Sequence, residues 1–360
     1  MALPTKTKCW LMARAPMGLP TYSGENPTFV FETKDLPELK SGQILVEALY
    51  MSNDPSQRTW MSALVPGTRH YVQLIENGSV MRARGIVKIL KSASPSFQEG
   101  QLGYGPVGWS EYNVLDAETV RPIAPLPNGI DMTYHIGTLG LTGMTAYYGL
   151  IDIVGARKGE TIVISGAAGA TGSMAVRIAR HLIQAGRVIG IAGTDEKCRW
   201  VEKIGADICL NYKSPTFEAD LAKTTKDSLI DVYFDNVGGE MLDKMLGHMA
   251  MHGRVALCGA ISSYNASGSC GGAVLFTNYP QMITMRLALR GFVVHDFAND
   301  EAKRERFTQA ILDSDILSGM ADATDTPDTV VAGSVEDIPR VWLRLFEGAN
   351  QGKLITKLQK

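Results

Sequence analysis

Residues 161–172 read TIVISGAAGATG, an apolar run that passes directly into a loop of small residues. Thr161–Ser165 has the composition of a buried strand, and apolar residues recur at helical spacing from Gly172 to Gln184. A further strand is expected at Arg187–Ala192, and Thr194 after it is the candidate N-cap of a helix that ends at Gly205. The pattern predicts a strand–turn–helix–strand unit around the loop.

The loop itself carries glycine at positions 166, 169 and 172. It departs from the usual G-x-G-x-x-G fingerprint, because Ala168 rather than a glycine precedes Gly169. Small residues still let the backbone approach a pyrophosphate, and the start of the following helix offers N–H groups and a favourable dipole. On its own the loop could be an ordinary Gly/Ala turn. In this context it predicts a dinucleotide site at Gly166, Gly169, Ala170 and Gly172.

The tip of the second strand distinguishes between the two nicotinamide dinucleotides. NAD sites usually place an acidic residue there, about 20 residues after the glycines, to bind the ribose 2′-OH. Here the tip reads Ile191-Ala-Gly-Thr194, while Asp195 and Glu196 fit the first turn of a helix better. Lys197 is close enough to meet a 2′-phosphate, although alone it could equally be a solvated lysine on a helix surface. The missing acidic residue favours NADPH.

Strand and helix patterns along the chain predict two domains. Strand patterns at Ile208–Leu210, Asp231–Asp235, Arg254–Cys258 and Arg290–Val294 alternate with helical ones, which is typical of a doubly wound parallel sheet. The first third is instead rich in short strands, expected at Cys9–Ala13, Thr28–Thr33, Ile44–Tyr50 and Ile86–Leu90. A proline-rich connector at Arg121–Asp131 separates the two patterns. The chain is therefore predicted to be α/β, with a β-rich domain over 1–130 and 322–360 and a Rossmann domain over 131–321.

Length and composition agree with two globular domains and exclude several classes of protein. The chain has 360 residues, 45% of them hydrophobic, and a net charge of -2. That charge leaves no excess of cations for a nucleic-acid backbone. We find neither a signal peptide nor an apolar run of about 18 residues, which argues against a membrane partner. The five cysteines are scattered, which favours a reducing, cytoplasmic location.

Several further motifs together resemble one family. They are Gly137–Tyr147 (GTLGLTGMTAY), Asp235–Glu240 (DNVGGE), Gly253–Asn265 (GRVALCGAISSYN), Asn278–Gln281 (NYPQ), Gly291–Val294 (GFVV) and Asn350–Lys353 (NQGK). Combined with the glycine loop, they resemble the prostaglandin reductase / leukotriene 12-hydroxydehydrogenase group of zinc-independent medium-chain dehydrogenases/reductases. The resemblance covers nearly the whole chain and is densest from residue 137 to residue 294.

The resemblance implies a GroES-like β-rich catalytic domain that the C-terminal segment completes, with NADPH in the cleft between the domains. It implies hydride transfer to the β-carbon of an α,β-unsaturated carbonyl substrate, an enone or enal. The matching positions are Lys197 and Tyr212 for the adenosine phosphate, Asn236 and Asn350 for other cofactor contacts, Phe292 and Val294 for a strand at the nicotinamide, and Tyr264 near the reacting carbonyl. Tyr264 could also be a packing residue in a Gly/Ser-rich loop.

The predicted substrate pocket departs from the family pattern. Residues 54–58 read Asp-Pro-Ser-Gln-Arg, where the family often has Asp-Pro-Tyr-Met-Arg, so Ser56 replaces a tyrosine. Further pocket candidates are the aromatic residues Trp60, Tyr71, Trp109 and Tyr279, each of which could instead belong to a core. A quinone reductase, a reductase of a natural-product pathway and a non-catalytic NADPH-binding protein remain alternatives. A homodimer is expected.

No metal site is expected. Zinc-containing members of the superfamily carry a Gly-His-Glu motif and a cysteine cluster, and neither occurs in this sequence. His248 and His252 are four residues apart but lack the H-E-x-x-H pattern. Reduction of a C=C bond needs no Lewis acid on an alcohol oxygen, which agrees with a chain that works without zinc.

Overall fold

A computed structural model describes residues 2–61, 69–126, 130–266, 275–317 and 328–359. The chain forms two compact units. The first comprises Met1–Ile136, Asn265–Ser269 and Asp328–Lys360, and the second comprises Gly137–Tyr264 and Cys270–Pro327. The divisions expected from the sequence, after residue 130 and before residue 322, fall a few residues ahead of these boundaries.

The secondary structure follows the β-rich and alternating patterns of the sequence. The strands are β1 (Lys6–Met12), β2 (Phe29–Asp35), β3 (Gln43–Asn53), β4 (Arg82–Ser92), β5 (Leu102–Gly108), β6 (Tyr112–Asp116), β7 (Arg121–Pro122), β8 (Thr161–Ser165), β9 (Arg187–Ala192), β10 (Ile208–Asn211), β11 (Ile230–Asp235), β12 (Met249–Leu257), β13 (Ala288–Gly291), β14 (Asp328–Gly333) and β15 (Lys353–Leu358). The α-helices are α1 (Leu141–Tyr148), α2 (Ala170–Arg177), α3 (Asp195–Lys203), α4 (Phe217–Thr225), α5 (Gly239–Leu246), α6 (Tyr279–Thr284), α7 (His295–Ala298), α8 (Glu301–Leu312) and α9 (Ile338–Glu347). No helix within the described ranges is long and apolar enough to cross a bilayer.

The second unit is built on a six-stranded parallel sheet in the order β10-β9-β8-β11-β12-β13. Numbered within the unit, this is 3-2-1-4-5-6, the order of a Rossmann fold. All five residues of β8 are buried, as expected for a strand covered by helices on both faces. The predicted doubly wound sheet is confirmed.

Local signals around the glycine loop set the element boundaries closely. β8 and β9 have the predicted bounds, and the Thr194 hydroxyl accepts a hydrogen bond from the Lys197 N–H at 3.2 Å, which confirms the N-cap. Gly205 follows the C-cap of α3 with a φ of 126°, a conformation that disfavours side chains. The helix expected from Gly172 to Gln184 begins earlier, as α2, and passes into a π-helical turn at Ile178–Leu182.

The first unit contains a seven-stranded sheet in the order β14-β15-β3-β4-β5-β7, with β6 paired to β3, and a separate pair β1-β2. β15 runs antiparallel to β3 and parallel to β14. The last part of the chain therefore lies beside the central strand of the first unit. The predicted β-rich first domain is confirmed as a fold.

The core of the first unit is aromatic. Trp109, Phe29 and Trp342 are fully buried, and the Trp109 ring centroid lies 5.0 Å from that of Phe29 and 5.7 Å from that of Trp342. The prediction that Trp109 lines the substrate pocket is therefore wrong, because neighbouring rings enclose its indole. Trp109 is a core residue, as aromatic residues often are.

Candidate functional site

The sheet order of the second unit fixes where a ligand binds. The chain moves to one side from β8 and to the other from β11, so these adjacent central strands form the topological switch point. Open α/β sheets bind ligands outside the carboxyl ends of their strands at such a point. Gly166 directly follows β8, and Asn236 directly follows β11. The predicted cofactor residues Gly166 and Asn236 therefore lie at the strand ends where folds of this kind bind their ligands.

The glycine loop is shaped for close approach of a backbone. Gly166 has a φ of +58°, and a Cβ added at Gly172 would lie 2.2 Å from the Gly166 carbonyl oxygen. Only glycine fits at position 172, because the start of α2 packs directly on the loop. Gly169 is the N-cap residue, and Ala170 opens the helix. The first N–H groups of an α-helix have no intrahelical partner and attract anions, which suits a pyrophosphate.

Asn236 links the two central strands. Its backbone N–H donates to the Ser165 hydroxyl at 3.0 Å, and its side-chain Nδ2 donates to the Ser165 carbonyl oxygen at 2.7 Å. The amide group therefore holds the end of β11 against the end of β8. Its role as a direct cofactor contact stays a prediction.

Asp235 shapes the same edge of the sheet and was missed as a site residue. Its Oδ1 accepts hydrogen bonds from the Tyr233 and Ser165 hydroxyls at 2.8 and 3.1 Å, and from the Val237 and Gly238 N–H groups at 3.0 Å each. Burial raises the pKa of this carboxyl group above its ordinary value, and these hydrogen bonds oppose the rise. Asp235 thus fixes the loop that leads away from β11. The sequence feature that could have identified Asp235 is an aspartate at the end of a strand followed by Asn-Val-Gly-Gly.

Basic side chains gather at the tip of β9, where a 2′-phosphate is expected. Burial lowers the pKa of Lys197, and the nearby charge of Lys213 lowers it further, while Glu196 acts in the opposite direction. The two cations repel each other, and a bound dianion would relieve that repulsion. Lys213 follows β10, and its Nζ lies 5.8 Å from the Tyr212 ring centroid, so we add it to the candidate phosphate site. The sequence prediction covered only Lys197 and Tyr212.

Two neighbouring contacts complete the tip of β9. A Cβ added at Gly193 would lie 3.1 Å from Cε1 of Tyr212, so the exposed Tyr212 ring covers the glycine that directly follows β9. The Asp195 carboxylate accepts a hydrogen bond from Nδ2 of Asn211 at 2.7 Å. Asp195 is therefore held against β10 as a first-turn helix residue, in agreement with its interpretation from the sequence.

Tyr264 lies at the end of a short 3-10 turn, Ile261–Ser263, that follows β12. The backbone N–H of Ala260 donates to the Tyr264 hydroxyl oxygen at 3.2 Å. The turn is tied to the loop after β11, because the Ser262 hydroxyl donates to the Val237 carbonyl oxygen at 2.6 Å. A phenol that accepts an N–H hydrogen bond keeps its proton as a donor and donates it more strongly. The local geometry is compatible with the predicted catalytic role.

The predicted strand Arg290–Val294 is wrong in its extent. β13 ends at Gly291, so Phe292 and Val294 do not lie on a strand. Val294 is the N-cap of α7, and its carbonyl oxygen accepts hydrogen bonds from the N–H groups of Phe297 and Ala298 at 3.0 and 2.8 Å. The Phe292 ring packs edge-on against Phe234 at 6.4 Å between centroids. The helix that begins at residue 295 ends the strand early.

The pocket candidates of the first unit lie partly together. Ser56 and Trp60 belong to a 3-10 segment, Pro55–Met61, and the Trp60 Nε1 donates to the Tyr71 hydroxyl at 3.4 Å. The Arg82 guanidinium lies 5.7 Å from the Trp60 ring centroid. Asn350 is buried in the same unit, where its Nδ2 donates to the Gly352 carbonyl oxygen at 2.8 Å.

The remaining predictions concern the second unit and metal binding. Tyr279 is exposed at the start of α6. His248 is half-buried, and its Nδ1 lies 2.7 Å from the Thr225 hydroxyl, so it belongs to the packing of that unit. Across the ranges that the structure describes, no three histidine, cysteine or carboxylate side chains are grouped so as to hold a metal ion.

Comparison with known proteins finds two family models in this chain. One is described as the N-terminal domain of oxidoreductase and matches residues 8–123. The other is described as zinc-binding dehydrogenase and matches residues 170–311. Together they cover most of both units.

Individual relatives match along nearly the full length. The chain is 32% identical to prostaglandin reductase 1 of Bos taurus, covering 97% of this chain and 98% of that protein. It is 34% identical to a 2-alkenal reductase (NADP(+)-dependent) of Nicotiana tabacum, over 89% of this chain and 88% of that one. Among solved structures, CurA of Vibrio vulnificus in complex with NADPH has a TM-score of 0.82 at 29% identity, with 98% and 99% of the two chains covered.

Proposed function

The chain belongs to the prostaglandin reductase and 2-alkenal reductase group of the medium-chain dehydrogenases/reductases, and we propose on this premise that it reduces the C=C bond of an enone or enal. It is an NADP-dependent oxidoreductase acting on C=C bonds, and its cofactor is NADPH. The main support for the proposal is the set of residues at the carboxyl ends of the strands in the second sheet. There the glycine loop follows β8, Lys197 follows β9 and Lys213 follows β10, three neighbouring strands of the sheet.

The residues at this edge fit NADPH. Position 172 has no room for a side chain, so the backbone of the loop is left open to a pyrophosphate. Lys197 and Lys213 supply two cations for the 2′-phosphate, and Tyr212 covers Gly193 beside them. Lysines bind phosphate through charge-assisted hydrogen bonds. Asn236, Phe292, Val294 and Asn350 are proposed to contact the cofactor, with Phe292 and Val294 acting from the loop after β13.

The chemistry requires few groups from the protein. When bound, NADPH supplies a hydride to the β-carbon of the conjugated system. Tyr264 donates a hydrogen bond to the carbonyl oxygen, on which negative charge develops, and the resulting enolate takes up a proton at its α-carbon from Tyr264 or from water. The Ala260 N–H on the phenol oxygen strengthens this donation. Ser56, Trp60, Tyr71 and Tyr279 are proposed to contact the α,β-unsaturated carbonyl substrate.

We propose that the reaction needs no zinc, although one matching family model is described as zinc-binding. The support is the arrangement of the described ligand-type side chains, which form no group of three around one point. Exhaustive chelation is expected to leave turnover and the thermal midpoint unchanged. Stoichiometric zinc that is removed together with activity would contradict this.

A homodimer is proposed as well, and the edge of the second sheet supports it. Among the strands that the structure describes, β13 is the outer one of this sheet, and an outer strand is a ready template for a second chain. Large apolar side chains near it are exposed, among them Met251, Tyr279 and Ile283 at 55, 57 and 64%. Sedimentation equilibrium at micromolar protein should give the mass of two chains, and the mass of one would overturn the proposal.

The decisive experiment measures NADPH oxidation with cinnamaldehyde, methyl vinyl ketone and menadione, together with product analysis. A saturated aldehyde or ketone that keeps its carbonyl group is the expected product. Turnover of menadione alone would favour the quinone reductase alternative. Tight NADPH binding without turnover of any probe would favour the non-catalytic alternative.

A further inference from the structure

A buried ion pair lies in the first unit, at the end of β3. The Lys353 Nζ donates to Oδ1 of Asp54 at 2.5 Å and to the Asn53 carbonyl oxygen at 3.2 Å. The Lys353 side chain is 2% exposed and that of Asp54 is 26% exposed. Lysine is almost never buried to this extent unless it is paired. The pair therefore needs an explanation in terms of the structure that it holds.

Asp54 is fixed at each of its polar positions. Its N–H donates to Oε1 of Gln57 at 2.8 Å, and its carbonyl oxygen accepts from Nε1 of Trp342 at 3.0 Å. Its Oδ2 accepts from the Ser52 hydroxyl at 2.6 Å, while Oδ1 accepts from Lys353. Both the backbone and the carboxylate of this residue are thus held in one geometry.

The 3-10 segment Pro55–Met61 begins directly after Asp54 and carries two of the proposed substrate contacts, Ser56 and Trp60. The proline at its start fixes its own φ, so the direction of the segment is set by how Asp54 is held. Lys353 begins β15, and the proposed cofactor contact Asn350 lies just before it. The ion pair therefore joins the segment with the substrate contacts to the segment with the cofactor contact.

Stability alone does not account for a charged pair at this place. Desolvation of two charges can exceed their attraction, and well-packed neutral residues of similar volume are often as stable. We propose that Lys353 and Asp54 are positioning residues that fix the Pro55–Met61 segment so that Ser56 and Trp60 face the substrate in one geometry. This rests on the proposed function, because it takes the segment to be part of the substrate site.

The test compares Asp54→Asn, Lys353→Met and the double variant, with NADPH and cinnamaldehyde as reactants. Each single variant leaves one charge buried without its partner, so both thermal stability and activity should fall. The double variant removes both charges and should recover the thermal midpoint. Its kcat/KM for cinnamaldehyde should stay about tenfold to a hundredfold low, since small misplacement of a positioned substrate has effects of that size. Its KM for NADPH should remain near that of the unmodified protein.

Recovery of both stability and kcat/KM in the double variant would overturn the proposal and leave the pair a structural one. Glu218→Gln is the matched control, because it breaks the exposed Lys244–Glu218 pair of the second unit. Exposed ion pairs contribute little to stability, so neither the thermal midpoint nor kcat/KM for cinnamaldehyde should change in that variant.

A second readout does not depend on catalysis. Hydrogen exchange at the amides of residues 56–61 should be faster in the double variant than in the unmodified protein, while exchange in β15 stays slow. Unchanged exchange in that segment would overturn the positioning role whatever the activity. If the unmodified protein turns over none of the three probes but exchange in the segment increases as expected, the proposed function fails, and with it the role toward a substrate, while the hold of the ion pair on the segment is established.

Discussion

Replacing Lys197 with alanine should weaken NADPH far more than NADH. The side chain is half-buried, and its backbone is fixed by the Thr194 cap, so little freedom is lost when it meets a phosphate. A charge-assisted contact of this type is worth about 1.5–3 kcal/mol, and about 1.4 kcal/mol corresponds to a factor of ten. Because Lys213 still faces the phosphate, the single variant should raise the KM for NADPH about tenfold. The Lys197/Lys213 double variant should approach a hundredfold.

The assay is steady-state oxidation of NADPH and of NADH at saturating cinnamaldehyde, from pH 7 upward. Burial and the charge of Lys213 hold the pKa of Lys197 below its ordinary value, so its charge is lost at a lower pH than for a typical lysine. The KM for NADPH should therefore rise on the alkaline side, and this rise should weaken in Lys197→Ala. The KM for NADH should change little in either experiment.

Lys203→Ala is the matched control, because Lys203 is an exposed lysine on the same helix, α3. It should leave both constants unchanged. Equal losses for NADPH and NADH in Lys197→Ala would refute the phosphate assignment. The lysine would then act through the stability of the second unit.

Three further variants test the site. Tyr264→Phe removes only the hydroxyl group and should lower turnover about tenfold to a hundredfold, with the affinity for NADPH nearly unchanged. If the variant keeps full turnover under conditions in which the chemical step limits the rate, Tyr264 is only a packing residue. Gly172→Ala should abolish tight NADPH binding in titrations, because the added methyl group would lie 2.2 Å from the Gly166 carbonyl oxygen. Gly169→Ala should weaken binding less, because its methyl group would lie 3.2 Å from the same oxygen. A greater loss of binding in Gly169→Ala would contradict the close packing of the loop. Asp235→Ala leaves buried donors without an acceptor and should lower the free energy of unfolding by at least about 2 kcal/mol. Asp235→Asn keeps an oxygen at the Oδ1 position and should lower this free energy much less, as measured by thermal unfolding. Equal losses in the two variants would contradict the role of Oδ1.

The Rossmann unit could be predicted closely because several local signals agree there. Around residues 161–205, strand composition, small loop residues, helical spacing and a threonine N-cap all indicate the same elements. Consistency of this kind is what lets a sequence specify one structure. Together with this context, the glycine spacing predicted a dinucleotide site in the loop after β8, and the sheet order places that loop at the topological switch point.

Other features could not be predicted in the same way. The end of β13 is set by the short helix that comes after it, so an apolar run alone suggested too long a strand. Trp109 looks like any other aromatic pocket candidate until Phe29 and Trp342 are seen to enclose it. Lys213 acquires a role only because β10 brings it near Lys197. For Trp109 and Lys213, contacts between parts of the chain that are distant in sequence decide.

The pairing of β15 with β3 also bears on how the protein is made. The ribosome completes β3 early, whereas β15, which pairs with its Tyr50–Asn53 part, is synthesised only after the whole Rossmann sheet has emerged. During translation the Tyr50–Asn53 part of that edge therefore stays an unpaired template that can capture other chains, whereas β6 can already pair with Gln43–Glu47. We expect nascent chains stalled before residue 353 to depend on chaperones, and the same chains to become independent of them once β15 has left the exit tunnel.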